Sequence, residues 1–299
     1  MNRILTAEMI GIEKNRVTPT MLQTYLDCPL NFYYACWLGL KLGDDDKIHM
    51  DFGNSVQRAI EMIYALYDNH FGGGWEPEKD SFEKVVYVFK QSWTKANVPE
   101  SSFQKFMTTK AGKESGFTSK EDLYNYFYED GIAILKSYWN DKEMLITQHD
   151  LDLDEFEVML KVEMVNPADK TEKLPIPISG RIDSKNRNKT KLIDFKTSKG
   201  NYSEEKSRDL IQCRAYPFMW MMKYNEFIPN FDYIVLRKGL KSENRVQIVS
   251  LKFDEADMLQ FYIQVKSILQ SIANREFSRP RSGHQNFCDC YKFEKLLTI

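Results

Sequence analysis

The residues best suited to chemistry lie in one stretch, 176–200, which reads IPISGRIDSKNRNKTKLIDFKTSKG. On both sides of the polar turn 184–191 the side chains alternate between apolar and polar, which predicts two half-buried strands paired as a hairpin. Asp183 ends the first strand, and Asp194 and Lys196 project from one face of the second. The predicted pairing therefore brings Asp183 close to Asp194.

Two neighbouring carboxylates are hard oxygen ligands of the kind that Mg²⁺ and Mn²⁺ prefer. A metal ion held by Asp183 and Asp194 would lower the pKa of a bound water and polarise a phosphoryl oxygen. Lys196 would orient that water or offset charge on the phosphate, and the carbonyl oxygen of Phe195 would be a further metal ligand. The pattern indicates a metal-dependent phosphodiesterase, although the same acids also occur in ordinary solvated hairpins.

Four segments follow one another in an order that carries a family resemblance. They are TPTMLQTYLDCPLNFYY at 18–34, FGNSVQRAIE at 52–61, the pair GRID and IDFKT, and QCRAY at 212–216. Together they resemble the RecB-like branch of the PD-(D/E)XK nuclease superfamily, which includes nuclease domains of bacterial helicase-nucleases and CRISPR-associated and phage relatives. Each segment is weakly specific alone, whereas the ordered set is specific.

The resemblance implies a role for each matching residue. Asp183 and Asp194 would be metal ligands, and Lys196 would be the catalytic lysine. Gln212 and Tyr216, one helical turn apart, would position the lysine and the nucleic acid. The alternative for that pair is a surface glutamine beside a core tyrosine.

One position departs from the family pattern, because the usual metal-binding histidine falls on Gln57. An amide oxygen is a weaker ligand for Mg²⁺ than imidazole or a carboxylate. Glu61, one turn later on the same helical face, is a candidate substitute. The acids before the core are further candidates: Glu155, Glu157 and Glu163. Two interpretations therefore stay open, an enzyme with weaker or more selective metal binding and a catalytically impaired DNA-binding or assembly module.

The chain contains five cysteines: Cys28, Cys36, Cys213, Cys288 and Cys290. An odd number in a long chain without a visible signal sequence predicts a reduced, intracellular setting. The resemblance implies the cytoplasm of a bacterial or virus-infected cell. Some relatives bind a [4Fe–4S] cluster through one N-terminal and three C-terminal cysteines, but here a final cysteine is missing and a cubane normally uses four thiolates.

Zinc is the other metal that the cysteines suggest. Cys28, His284, Cys288 and Cys290 have suitable ligand types, but Cys-x-Cys is an uncommon spacing. We favour a simpler interpretation, in which Cys28 is buried without a metal and the C-terminal tail packs on the N-terminal helix. A structural zinc protein remains a third alternative for the function of the chain.

The composition of the 299 residues is ordinary for a soluble globular protein, with 42% hydrophobic and 28% charged residues. The net charge of −2 argues against a protein that coats nucleic acid non-specifically. The longest apolar run, 216–222, is too short to cross a bilayer, so no membrane association is expected. A DNA groove needs only local cations, and an ordinary solvated surface is the equal alternative for these candidates: Lys185, Arg187, Lys189, Lys191, Lys199, Lys206 and Arg208.

The order of predicted elements indicates an α/β protein. The resemblance implies a restriction-endonuclease-like core, with a central mixed sheet flanked by helices and a helical insertion. We divide the chain into the N-terminal helical part of the nuclease domain (1–70), a helical insertion or cap (71–145), and the catalytic core with its C-terminal helix and Cys-containing tail (146–299). Aromatic side chains of the insertion are expected in a core rather than stacked on bases.

These observations predict a DNA nuclease that uses Mg²⁺ or Mn²⁺. The expected activity is exonucleolytic, on DNA ends or single strands, in recombination, repair or replication. A helicase or recombination protein is the expected partner. The chain has no Walker A sequence, so ATP-driven unwinding would come from another protein.

Overall fold

The computed structural model describes residues 5–12, 15–42, 47–68, 82–239, 244–279 and 288–297. His284 and the glycines at 72–74 lie outside these ranges. The helices are α1 (Ala7–Ile10), α2 (Pro19–Asp27), α3 (Pro29–Phe32), α4 (Lys47–Asp68), α5 (Phe82–Ser92), α6 (Glu100–Thr108), α7 (Lys110–Ser115), α8 (Lys120–His149), α9 (Glu204–Asp209), α10 (Gln212–Tyr224), α11 (Glu255–Ala273) and α12 (Cys290–Leu297). The strands are β1 (Leu153–Val162), β2 (Ile178–Asn186), β3 (Lys191–Ser198), β4 (Asn230–Arg237) and β5 (Val246–Lys252).

The five strands form one mixed sheet in the order β1-β2-β3-β4-β5. β3 and β4 are parallel, and the other neighbours are antiparallel. Helices α9 and α10 make the connection that a parallel pair requires. This arrangement confirms the predicted restriction-endonuclease-like architecture of a mixed sheet flanked by helices.

Two large apolar cores cover the two faces of the sheet. On β4 the odd-numbered residues Phe231, Tyr233 and Val235 join the first core, which is built with α2, α10 and α11. The even-numbered Ile234 and Leu236 join the second, which is built with α4, α5 and α8. A strand buried on both faces reads as a continuous apolar run, as β4 does.

The second core also explains why the predicted half-buried character of β3 is wrong. Residues 192–195 are all buried, because Ile193 and Phe195 pack against the helices of 82–149. The aromatic side chains of these helices lie largely in that core, as expected; Phe127 and Tyr138 are fully buried. Helix α8 runs across residue 145 to His149, and the division into three parts stays a prediction.

The sequence predicts one helix over 18–40 and another over 204–225, and both are interrupted. The aromatic-rich segment 18–40 breaks at Cys28, whose extended backbone precedes Pro29, because a residue before proline is disfavoured in helical conformation. Pro217 lies inside α10, where the kink that proline predicts stays a prediction. The helix predicted over 204–225 is broken before α10. There Ile211 N–H donates to the side-chain oxygen of Gln23, 2.9 Å away. None of the described helices combines the length and apolar character needed to cross a membrane.

Candidate active site

The hairpin that carries the two acids is paired over a short distance only. β2 and β3 pair at Ser184 with Ile193 and at Lys185 with Leu192, so the next register position joins Asp183 and Asp194. There the strands separate, and Asp183 Oδ2 accepts a hydrogen bond of 2.8 Å from the backbone N–H of Phe195. The separation of the strands therefore leaves both carboxylates beside a cavity instead of between paired strands.

Lys196 is held by a chain of polar contacts that runs from β3 to α10. Its Nζ lies 2.6 Å from Asp194 Oδ2 and donates to Gln212 Oε1 at 2.9 Å. Gln212 Nε2 in turn donates to the hydroxyl of Tyr216 at 3.3 Å. The structure thus joins four of the predicted site residues in one network, in which Gln212 is half-buried and Tyr216 is buried in the first core.

Two glycines allow helices to approach the site closely. A Cβ added at Gly180 of β2 would lie 3.3 Å from Pro19 Cδ and 3.4 Å from Tyr216 Cε1. A Cβ added at Gly53 of α4 would lie 3.2 Å from Thr197 Oγ1, next to Lys196. Glycine at these positions lets α2, α10 and α4 close around the strand ends.

The site opens into a cavity of about 520 Å³. Its walls contain Asp183, Asp194, Lys196, Gln212 and Tyr216, as the resemblance implies. Further lining residues that were not predicted include Thr18, His49, Met50, Asn54 and Arg181. A signal was present for several, because positions 50, 53, 54 and 57 share one helical face and position 181 shares the strand face of 183.

Gln57 occupies the cavity wall where the family histidine is expected. It is 8% exposed, and its amide nitrogen donates weakly to Glu61 Oε1 at 3.5 Å. Burial raises the pKa of the Glu61 carboxyl, and the charge of Glu157 raises it further. Glu61 lies behind Gln57 and does not line the cavity. Gln57 is therefore the better placed of the two as a third metal ligand.

The other acidic candidates are engaged outside the cavity. Glu157 forms a 2.8 Å ion pair with Arg181, and Glu163 lies 3.4 Å from Lys173. Glu155 is largely exposed and lies 3.8 Å from Lys185. None of these three acids lines the cavity described for this chain.

Burial and mutual repulsion dominate the electrostatics of the two aspartates. Burial and the neighbouring charge of Asp194 raise the pKa of Asp183 from 3.8 to about 7. Burial also raises the pKa of Asp194, against the opposing effect of Lys196. Burial alone would lower the pKa of Lys196, but the charges of Asp194 and Asp183 outweigh it and raise that pKa. Lys196 is therefore a cation.

These features fit a divalent cation. The half-buried Asp183 and the buried Asp194 repel each other, and Asp194 Oδ2 receives no hydrogen bond of good geometry although Lys196 Nζ is close. A bound cation would offset the repulsion between the two carboxylates. Asp183 and Asp194 would hold the ion, while Phe195 and Gln57 lie on the cavity wall beside them.

Two lysines of the turn fit neither alternative, a DNA groove or a solvated surface. Lys185 is 1% exposed and its Nζ lies 2.7 Å from Asp154. Lys191 Nζ donates to the carbonyl of His149 at 2.6 Å and to Asp232 at 3.0 Å. These cations stabilise the base of the hairpin and are not available to DNA, because acids from other elements surround them.

Two of the other candidate cations are also paired with acids. Arg187 pairs with Asp152 at 3.0 Å, and Arg208 pairs with Glu204 at 3.1 Å. Lys189, Lys199 and Lys206 are exposed and stay candidates for contact with nucleic acid.

Replacing Asp154 with alanine should destabilise the fold by about 2–3 kcal/mol, because it leaves the buried ammonium of Lys185 without its close partner. We expect the melting temperature to fall by roughly 4–10 °C. Glu155→Ala is the matched control, since Glu155 is exposed and farther from the same ammonium. Equal melting temperatures for the two variants in thermal unfolding would show that the Lys185 pair is unimportant.

The cysteines divide into a group of three and two separate residues. The Sγ atoms of Cys28, Cys288 and Cys290 lie within 4.8 Å of one another, and all three residues are buried. Burial raises the pKa of Cys36 to about 11 and that of Cys213 to about 12. The expected packing of the tail on the N-terminal helices is observed, with the rings of Tyr34 and Phe293 5.7 Å apart.

The group does not fit a [4Fe–4S] cluster. Such a cluster is normally held by four thiolates, each on a different iron, and the group offers three. Thiolates on separate irons also lie farther apart than thiolates on one ion. His284, the fourth ligand expected for zinc, lies outside the described residues.

Comparison with known proteins finds a family match over most of the chain. A family profile described as the PD-(D/E)XK nuclease superfamily matches residues 16–291. None of the curated protein sequences matches the chain.

Two solved structures resemble parts of the fold at low scores. The first, SSO0001, has 17% identity and a TM-score of 0.29, with 64% of this chain and 78% of that chain covered. The second, a candidate exonuclease from Eubacterium rectale, has 14% identity and a TM-score of 0.37, with 85% and 93% covered. At these scores neither likeness bears on activity.

Proposed function

The chain belongs to the PD-(D/E)XK nuclease superfamily, and we propose that it is a Mg²⁺- or Mn²⁺-dependent deoxyribonuclease acting on DNA ends or single strands. Superfamily membership supports hydrolysis of phosphodiester bonds, and members generally use Mg²⁺ or Mn²⁺. The observation that carries the proposal is the position of Lys196, between Asp194 and Gln212 at the wall of the cavity that holds both acids.

Each residue of the site has a separate proposed role in the reaction. A divalent cation held by Asp183 and Asp194 would supply a water of lowered pKa and polarise a phosphoryl oxygen. Lys196, held between Asp194 and Gln212, would orient that water or stabilise negative charge on the phosphate. Gln212 fixes its ammonium group, and Tyr216 fixes Gln212. This preorganisation supports the assignment of Gln212 and Tyr216 as positioning residues.

A catalytically impaired DNA-binding or assembly module is the second candidate, and Gln57 favours it. A glutamine at the cavity wall offers a neutral ligand and would weaken metal binding. The intact network from Asp194 to Tyr216 favours the enzyme, because a binding module has no need of a lysine fixed between an acid and an amide. We place the activity in recombination, repair or replication, with a helicase or recombination protein as partner, on the strength of the resemblance.

The proposal is tested with end-labelled linear DNA, single- and double-stranded, and with a closed circle. Each substrate is incubated with Mg²⁺, Mn²⁺ or EDTA. We expect metal-dependent degradation of the linear forms and survival of the circle. Rapid cleavage of the circle would replace the exonuclease assignment by an endonuclease, and cleavage of RNA in place of DNA would overturn the substrate class.

Replacing Gln212 with alanine should lower kcat about 10-fold and change KM little, because it frees the ammonium of Lys196 without removing its charge. Tyr216→Phe should have a smaller effect, since Gln212 still contacts the lysine. Gln104→Ala, which breaks an exposed glutamine contact with Glu100, is the control. A change in KM alone would assign Gln212 to substrate binding.

A further inference from the structure

We propose that Cys28, Cys288 and Cys290 bind a single Zn²⁺ ion that fastens α12 to the N-terminal helices. The site is separate from the cavity described above and does not depend on the proposed nuclease function. Three buried sulfur atoms from two distant parts of the chain meet at one point. Thiolates are preferred ligands for zinc.

The spacing of the sulfur atoms suits one metal ion. All three lie within 4.8 Å of one another. Zinc–sulfur bonds of about 2.3 Å in tetrahedral geometry place ligand sulfurs roughly 3.8 Å apart. Small side-chain adjustments therefore bring the three thiolates onto one ion, and the fourth position goes to water or another donor.

The backbone around the sulfurs is arranged as in a metal site. The N–H of Asn31 donates to Cys28 Sγ at 3.3 Å, and the N–H of Cys290 donates to Cys288 Sγ at 3.4 Å. Such bonds orient thiolate ligands and offset their charge. The guanidinium of Arg279 also lies close enough to interact with Cys290. The bond from Asn31 also caps the N-terminus of α3.

The position of the site in the fold gives the ion a structural role. The three cysteines form a buried cluster apart from the two large cores, with only Leu30 and Tyr34 packed against it among the described hydrophobic side chains. Helix α12 has eight residues, and helices this short are marginal without tertiary support. Metal binding that requires the folded arrangement would supply part of that support.

The test measures metal content and stability in the full chain. Zinc and iron are determined by elemental analysis in wild type, Cys28→Ser and Cys290→Ser, with Cys36→Ser and Cys213→Ser as cysteine controls. We expect about one zinc per chain in wild type and both controls, and loss of zinc from the two triad variants. We also expect the triad variants and chelator-treated wild type to melt roughly 5 °C lower.

Cobalt substitution of wild type provides a second test if Cys28→Ser or Cys290→Ser fails to fold. Co²⁺ bound by three thiolates should show sulfur-to-metal charge-transfer and tetrahedral ligand-field bands. Zinc-free protein with no cobalt spectrum would overturn the proposal and leave a packed thiol cluster. Iron with a visible cluster spectrum in anaerobically purified protein would also overturn it, as would a disulfide detected by thiol counting. DNA cleavage is not measured in this experiment, so its outcome is independent of the nuclease assignment.

Discussion

Replacing Lys196 with alanine should reduce the rate of DNA cleavage by at least about 10³-fold, because it removes a fixed cation from the point where phosphate charge develops. Affinity for DNA should change only a few-fold, since Lys196 is 23% exposed and lies deep beside Asp194. The variant separates a loss of kcat from a loss of binding.

Single-turnover cleavage and a gel shift on the same DNA measure the two effects. Lys199→Ala is the matched control, because Lys199 is exposed just beyond the end of β3. It should weaken binding modestly and leave the cleavage step unchanged. A Lys196→Ala enzyme that retains more than about a tenth of the wild-type rate would contradict the role assigned to this lysine.

Replacing Asp183 with asparagine should abolish metal-dependent stabilisation and yet make the metal-free protein more stable at about pH 8. The pKa of Asp183 is raised from 3.8 to about 7 by burial first and by Asp194 second. The folded chain therefore binds a proton more tightly than the unfolded chain. The free energy of unfolding therefore falls as pH rises from 3.8 to about 7. Above about pH 7 the whole of this loss is present. Asparagine removes the charge and can still accept the Phe195 hydrogen bond.

Thermal unfolding in EDTA at about pH 5 and pH 8 tests the sign of this effect. We expect Asp183→Asn to melt roughly 2–5 °C above wild type at the higher pH and much closer to it at the lower pH. The matched variant Asp194→Asn should destabilise, because it leaves Lys196 without its anion. Added Mg²⁺ should stabilise wild type only, with binding by the variants at least about 100-fold weaker, since even outer-shell substitutions cost 10–100-fold. Lower stability of Asp183→Asn in EDTA would contradict the electrostatic account.

The hairpin of β2 and β3, which carries Asp183 and Asp194, could be predicted from sequence because its pattern lies within one short segment. Alternation fixes which side chains share a strand face, and the turn between the strands fixes their pairing, so the meeting of Asp183 with Asp194 follows. The helical spacing that puts Gln57 on the cavity side of α4 was also readable. Fold class followed from the order of elements, with the resemblance supplying its specific type.

The wrong predictions depend on contacts between distant segments. Lys185 and Lys191 looked like solvated turn residues, and their burial depends on Asp154 and Asp232, which other strands supply. The two-sided burial of β3 depends on helices that precede it by many residues. The positions of the cysteines in the sequence do not predict that Cys28 meets Cys288 and Cys290. The packing of α12 against the N-terminal helices brings them together.

The most direct test of the central claim is the release of labelled nucleotides from DNA by wild type and by Asp194→Asn, each in Mg²⁺, Mn²⁺ and EDTA. If Asp183, Asp194 and Lys196 form the active site, wild type should release labelled nucleotides in Mg²⁺ or Mn²⁺ and should release none in EDTA. The Asp194→Asn variant should release none under any of the three conditions. DNA binding by wild type without release in either metal would contradict the catalytic account, and Gln57 would then mark a DNA-binding module.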